Sequence, residues 1–224
     1  MTLLERLILD KSAKVLYGTL HQAVLLHPTC KSRWKDVIAV DFKECSKCVK
    51  LDLPNGCVVD ILDPVVNEIH KWIQDQPAKP ESGGLIVGYE HQRTGNISLE
   101  AVSTPCNNDI RTRVRFEMRD PQHKSFLLKA KRKKSYYMGA WHTHPQPIPV
   151  PSNTDWEDWK ETLKLDKTGC RYVFFVIAGI KEWRLWAGDS ITNEITEIHE
   201  CKKNEAGLYL REELYQAEQF GGKT

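Results

Sequence analysis

Apolar positions along this chain follow two rhythms. Leu85 to Tyr89 (LIVGY) and Tyr172 to Ala178 (YVFFVIA) are near-continuous apolar runs of strand length, the pattern of strands covered on both faces. Ile97 to Val102 follows the first run across the turn Arg93-Thr94-Gly95-Asn96, which predicts a hairpin. Trp183 to Ala187 follows the second around Gly179. Val114 to Met118 and Tyr136 to Trp141 predict two more strands, the latter delivering His142 at its end. Helical spacing lies between these runs. Val65, Ile69 and Trp72-Ile73 share one helical face, with Asp63 as N-cap, Pro64 in the first position and residues 76–84 as the stop. Asp120 is read as the cap of a helix that passes through Phe126-Leu127-Leu128 to a basic end at Lys129, Lys131, Arg132, Lys133 and Lys134. Ser152 to about Leu165 and Glu205 to Phe220 read as two further helices. Strands interleaved with helices predict an α/β layered domain. Residues 1–58 alternate short apolar runs with charged and turn clusters, which predicts a small strand-containing N-terminal region ahead of a domain spanning 59–224.

Composition narrows the class. With 224 residues, 41% hydrophobic and 28% charged, the chain can build a sizeable core and is not of the disordered type. A net charge of +2 implies neither a nucleic-acid nor a membrane surface. No apolar run approaches bilayer length. The start, MTLLERLILDKSAK, carries charges inside its apolar stretch and no small-residue cleavage site, so it does not read as a secretory signal. Seven cysteines without framework spacing then suggest reduced thiols in a cytoplasmic protein. Cys45-Ser-Lys-Cys48 reads as adjacent thiols or as half of a zinc site completed by Cys30 or Cys57.

The chemistry concentrates in WHTHPQPIPVPSNTDWEDW, residues 141–159. His142 and His144, two apart at a strand end, point to the same side. That suits two ligands on one metal, or two ordinary surface histidines. Ser152 and Asp155 have the spacing of a helix capping box; Asp155, nearer the helix start than Asp158, is also the better third ligand. Two imidazoles and a carboxylate leave a fourth tetrahedral position open for water. The proline-rich run from Pro145 to Pro151 is a stiff strap between the halves. By average residue usage, HxHx7SxxD arises in roughly one in a few thousand chains of this size.

HTHP, seven residues from the second histidine, and then SxxD resembles the JAMM (JAB/MPN-type) zinc metalloprotease motif. That family also carries a glutamate just before a glycine-containing strand, and Pro80-Glu81-Ser82-Gly83-Gly84-Leu85-Ile86-Val87-Gly88 matches it 61 residues ahead of His142. The resemblance implies an MPN/JAB-type mixed sheet flanked by helices, with one catalytic zinc on His142, His144 and Asp155. It implies Glu81 as general acid/base, with Glu90 the rival, and Ser152 as donor to the tetrahedral oxyanion.

PESGGLIVGY, GNISLEAVSTP, DIRTRVRF and GAWHTHPQPIPVPS are further similar to the JAB-domain isopeptidases of bacterial CBASS anti-phage operons. The implied substrate is the C-terminal tail of a cGAS-like nucleotidyltransferase, conjugated to targets by an E1–E2-like enzyme of the same operon. A dedicated bacterial ubiquitin-like protein is the alternative substrate, and a non-catalytic MPN-type scaffold or a DNA-repair-associated member are the other classes. Arg111, Arg113 and Arg115 alternate, which puts three positive charges on one face of a strand, either solvated or suited to an acidic tail.

Overall fold

The computed structural model describes residues 49–166 and 168–198. The expected C-terminal helix, most of the N-terminal region, and Cys30, Cys45, Cys48 and Cys201 lie outside them. A hairpin of β1 (Val49–Asp52) and β2 (Val58–Ile61) leads into helix α1 (Asp63–His70). Strands β3 (Gly83–Glu90), β4 (Ile97–Val102), β5 (Ile110–Thr112) and β6 (Arg115–Glu117) precede helix α2 (Gln122–Arg132). Then come β7 (Tyr136–Thr143), helix α3 (Asn153–Leu165), β8 (Tyr172–Ala178), β9 (Trp183–Asp189) and β10 (Ile195–Ile198). Eight strands form one mixed sheet in the order β1-β2-β4-β3-β7-β8-β9-β10, and β5 and β6 form a separate hairpin. The pairs β2–β4 and β7–β8 are parallel and the other pairs are antiparallel. The expected α/β class with a mixed, helix-flanked sheet is what the chain adopts. Among the described residues no helix is long and apolar enough to cross a membrane.

The run from Tyr172 to Ala178 is buried throughout because both sheet faces are covered. Tyr172, Phe174 and Val176 pack with Val65 and Ile69 of α1, while Val173, Phe175 and Ile177 pack with Trp159 and Leu163 of α3. The sheet is rolled: Leu51 and Ile61 near one edge share a core with Leu185 and Ile198 near the other.

Several local expectations change. Leu62 occupies the α1 cap in extended conformation without a side-chain bond, and Asp63 is the first helical residue. The reason is that Leu62 still belongs to the sheet, donating its N–H to Leu99 O at 3.1 Å. The helix stops at His70, and Trp72 and Ile73 pack on the core from the following turn. Pro121 stands at the α2 cap, but the Asp120 carboxylate still accepts from Gln122 N at 2.9 Å. The strand expected at Val114 to Met118 is present as β6, but the unexpected β5 pairs with it to make a hairpin, with Val114 79% exposed at its tip. Its arginines therefore do not share a strand face. Arg111 and Arg113 fold back onto backbone carbonyls, and Arg115 pairs with Glu117. The short strand β10 has no counterpart among the expected strands.

Candidate metal and catalytic site

Strand β7 decides which face receives the histidines, and it changes phase on the way. Ile86 pairs with Gly139 but Val87 pairs with Tyr137, so Met138 is an extra residue, a β-bulge. Met138 and Trp141, three apart, consequently both face the α1 side. His142 is thereby turned to the α3 side, where Asp155 waits. Gly139 makes the bulge possible: its φ is +144° and a Cβ there would lie 1.8 Å from Phe174 O.

The other half is delivered by the proline strap. Ile180 N donates to Gln146 O at 2.8 Å, Lys181 N to Pro147 O at 3.0 Å, and Arg184 to Pro149 O at 3.1 Å, so the strap is anchored to the β8–β9 turn. It ends at Ser152, where both bonds of the capping box form. Asp155 N donates to Ser152 Oγ at 3.2 Å, and Ser152 N donates to Asp155 Oδ2 at 2.6 Å. Ser152 Oγ also donates to Asp155 Oδ2, at 2.7 Å. The cap therefore aims the carboxylate at the histidines and is no rival to that role.

Three donors converge. His142 Nε2 lies 3.1 Å from His144 Nε2 and 3.1 Å from Asp155 Oδ1, and His144 Nε2 lies 3.6 Å from Asp155 Oδ2. Zinc–nitrogen bonds of about 2.0–2.1 Å at a tetrahedral angle set donor atoms about 3.4 Å apart. The donor set thus fits a four-coordinate divalent ion with one position left over. Asp158 lines the same groove, but Asp155 is the acid that reaches the imidazoles.

Glu81 comes from across the sheet. Gly83 pairs with His142, and the same antiparallel register, continued two residues, sets Glu81 opposite His144. One donor atom from each of Glu81, His142 and His144 lies within 4.8 Å of the others. Glu81 is 9% exposed, whereas Glu90 is exposed at the far end of β3. Burial pushes the Glu81 carboxyl up to about 7; positive His142 opposes this and negative Asp155 adds to it. Burial acts against ionised Asp155 as well, but the hydrogen bond from His142, that imidazole's charge and the Ser152 donors hold it well below the carboxylate range. For His142, burial is outweighed by Asp155 and the pKa rises; for His144, burial and neighbouring His142 lower it. Two carboxyls pushed apart in this way divide into a permanent anion and a group able to exchange a proton near neutrality.

These residues line a groove of about 1010 Å³, bounded by the β5–β6 hairpin at Thr112, Val114 and Phe116 and by α3 at Thr154 and Trp159. A second set of possible ligands, Cys106, Asp109 and His123, also clusters within 4.8 Å. Hydrogen bonds already saturate it. Asp109 accepts from the backbone N–H groups of Cys106, Arg119 and Asp120 and lies 2.8 Å from His123 Nε2, while Ser103 Oγ takes His123 Nδ1 at 2.9 Å. That network holds the loop before α2.

The family model for prokaryotic homologs of the JAB domain matches residues 62–188. A CD-NTase/cGAS isopeptidase of Vibrio cholerae serotype O1 is 31% identical over 145 residues, 63% of this chain and 88% of that protein. A protein of the same name from Escherichia coli is 27% identical, over 62% of this chain and 86% of its own length. Another from Pseudomonas aeruginosa is 30% identical, over 56% and 79%. With the match covering more than half of its length, the chain belongs to the prokaryotic JAB-domain family.

Proposed function

We propose that this chain is a zinc-dependent isopeptidase that releases the C-terminal tail of a conjugated CD-NTase (a cGAS-like nucleotidyltransferase) from its targets in CBASS anti-phage defence. The observation that carries this reading is the convergence of His142, His144 and Asp155 beside buried Glu81 at the wall of an open groove. The relatives named CD-NTase/cGAS isopeptidases support the substrate class. On this reading the E1–E2-like enzyme of the same operon makes the conjugate, and residues 59–224 form the catalytic domain, extended by residues 1–58, whose strand β1 joins the domain's sheet.

His142, His144 and Asp155 would hold the zinc, which when bound activates water and polarises a carbonyl. Glu81, neutralisable near pH 7, takes a proton from the attacking water and returns it to the leaving amine. Ser152 turns its hydroxyl from Asp155 to the oxyanion that forms at the scissile carbon. Among the described residues strand β6 pairs only with β5, so an extended tail entering the groove can add to its other edge.

The test is a CD-NTase joined through its C-terminal tail to a lysine of a carrier protein. The purified chain should hold one zinc and separate the two proteins; chelation should stop cleavage and zinc should restore it. His142→Ala should lose both the metal and at least about a thousandfold in rate. Cleavage that persists without metal would sink the reading, and release of a ubiquitin-like protein alone would move it to that substrate. Among the described residues, Cys57, Cys106 and Cys170 are free thiols and none lines the groove. Burial raises the pKa of Cys106 and Cys170, so alkylation with iodoacetamide should leave the rate unchanged. Inactivation would point to a thiol.

A further inference from the structure

The residue between the two histidines faces the other way. Period-two alternation sends His142 and His144 into the groove and Thr143 to the opposite face, where it is fully buried. Its hydroxyl has two partners. It accepts from Ser82 N at 3.0 Å and donates to Gln74 Oε1 at 3.1 Å. The backbone doubles the link, Thr143 N donating to Ser82 O at 2.9 Å. Ser82 is the residue after Glu81, so the metal-binding strand grips the glutamate's neighbour directly.

Gln74 is also fully buried, and every group of its amide is used. Nε2 donates to Arg113 O at 2.9 Å, in the β5–β6 turn, and to Lys79 O at 3.3 Å, two residues before Glu81. Those two carbonyls fix which end of the amide is nitrogen. One side chain therefore ties together the strand with the histidines, the segment with Glu81 and the hairpin that walls the groove. The hairpin closes the ring on its own side: Glu81 N donates to Thr112 O at 2.7 Å and Arg111 Nε donates to Glu81 O at 3.0 Å. Residues 79–82 lie outside the strands, so these bonds replace the ladder that would otherwise hold them.

We propose that Gln74, acting through the Thr143 hydroxyl, is a positioning residue that sets the distance of Glu81 from the paired histidines. It rests on the reading of Glu81 as the proton-transfer group. Neither side chain lines the groove, so the network acts through the backbone it holds, that of the Glu81 segment and, from Gln74, of the β5–β6 turn. Loss of the hydroxyl or the amide should leave the zinc donors in place and let the 79–82 segment drift. A misplacement of about an ångström at a reacting group costs on the order of a hundredfold.

Thr143→Val, Thr143→Ser, Gln74→Met and the Thr143→Val/Gln74→Met double variant would be assayed on the CD-NTase–carrier conjugate, with zinc content measured for each. Thr143→Val and Gln74→Met should each lower kcat by about 30- to 100-fold, with KM within about threefold and one zinc retained. Thr143→Ser, which keeps the hydroxyl, should stay within about threefold of the parent. The double variant should be no slower than the worse single, because both cut one network. Should Gln74→Met fail to fold, the near-isosteric Thr143→Val decides alone. A kcat within threefold of the parent in that variant overturns the proposal, as does a loss that follows zinc content or resides in KM. An inactive parent, or a fully active Glu81→Gln, removes the underlying reading instead, and this proposal with it.

Discussion

Glu81→Gln is expected to keep one zinc per chain and to lose about a thousandfold in kcat, the scale of a positioned general acid/base. Glutamine matches the carboxyl in shape, and no atom of the His142, His144 and Asp155 set is touched. A second consequence has the opposite sign. In the metal-free chain the Glu81 pKa is about 7 against an ordinary 4.5, chiefly through burial. The neutral carboxyl is the form the folded chain prefers. Its contribution is fully present below pH 4.5 and is lost as pH rises through 7. Ionising it at pH 8 then costs roughly 3 kcal/mol. Glu81→Gln removes that cost, so the chelated variant should be more stable than the chelated parent at pH 8, by up to about 3 kcal/mol, and equal to it at pH 4. Urea unfolding at the two pH values, beside single-turnover cleavage of the conjugate, reads both effects. Retained turnover would move the proton-transfer role to another residue. An unchanged pH 8 stability would show that the carboxyl is better solvated than its burial implies.

Gly139→Ala should be the most damaging single substitution on the sheet. A methyl group at this position would lie 1.8 Å from Phe174 O, and φ is +144°. Strain and overlap each cost on the order of 1–3 kcal/mol, so a loss of about 3 kcal/mol or more is expected. If the strand instead relaxes to regular pairing, the bulge at Met138 vanishes and every later residue reverses face. His142 would then turn toward the α1 core, and zinc binding would fall with the fold. Gly169→Ala is the control: its φ is +81°, but no atom lies within 4 Å of the added methyl, so only the backbone cost of about 1 kcal/mol applies. Denaturation of both variants and zinc titration of the survivors would decide this. A Gly139→Ala chain with the parent's stability and zinc affinity would show that the bulge is not what orients the histidines.

Features whose cause is local were legible along the chain. Ile97–Val102 stands where the preceding turn placed it, and Tyr172–Ala178 where its apolar run did, because a strand covered on both faces has few polar positions. Ser152 and Asp155 form their capping box because its bonds span only three residues. The proton-transfer candidate was legible as well, from the PESGG spacing that resembles JAMM proteins. Strand β5 and the turn joining it to β6 were missed because that turn, Arg113-Val114, lacks the glycine or asparagine that usually marks one. Gly139 inside a strand was the available signal for a bulge, and only the partner strand shows how it is used.

The amino-acid sequence by itself determined the secondary elements of the core, the α/β class and the set of groups from which a zinc site can be built. Tertiary structure alone decided that His142 faces α3, that Asp155 meets it, and that Gln74 and Thr143 clasp the Glu81 segment from behind. The physical reason is one of range. Capping and alternation are settled within a few residues, whereas strand phase depends on a bulge against β3. The Gln74–Thr143 and Ser82–Thr143 bonds join residues 69 and 61 apart in the chain, and contacts at that separation exist only once the sheet has closed.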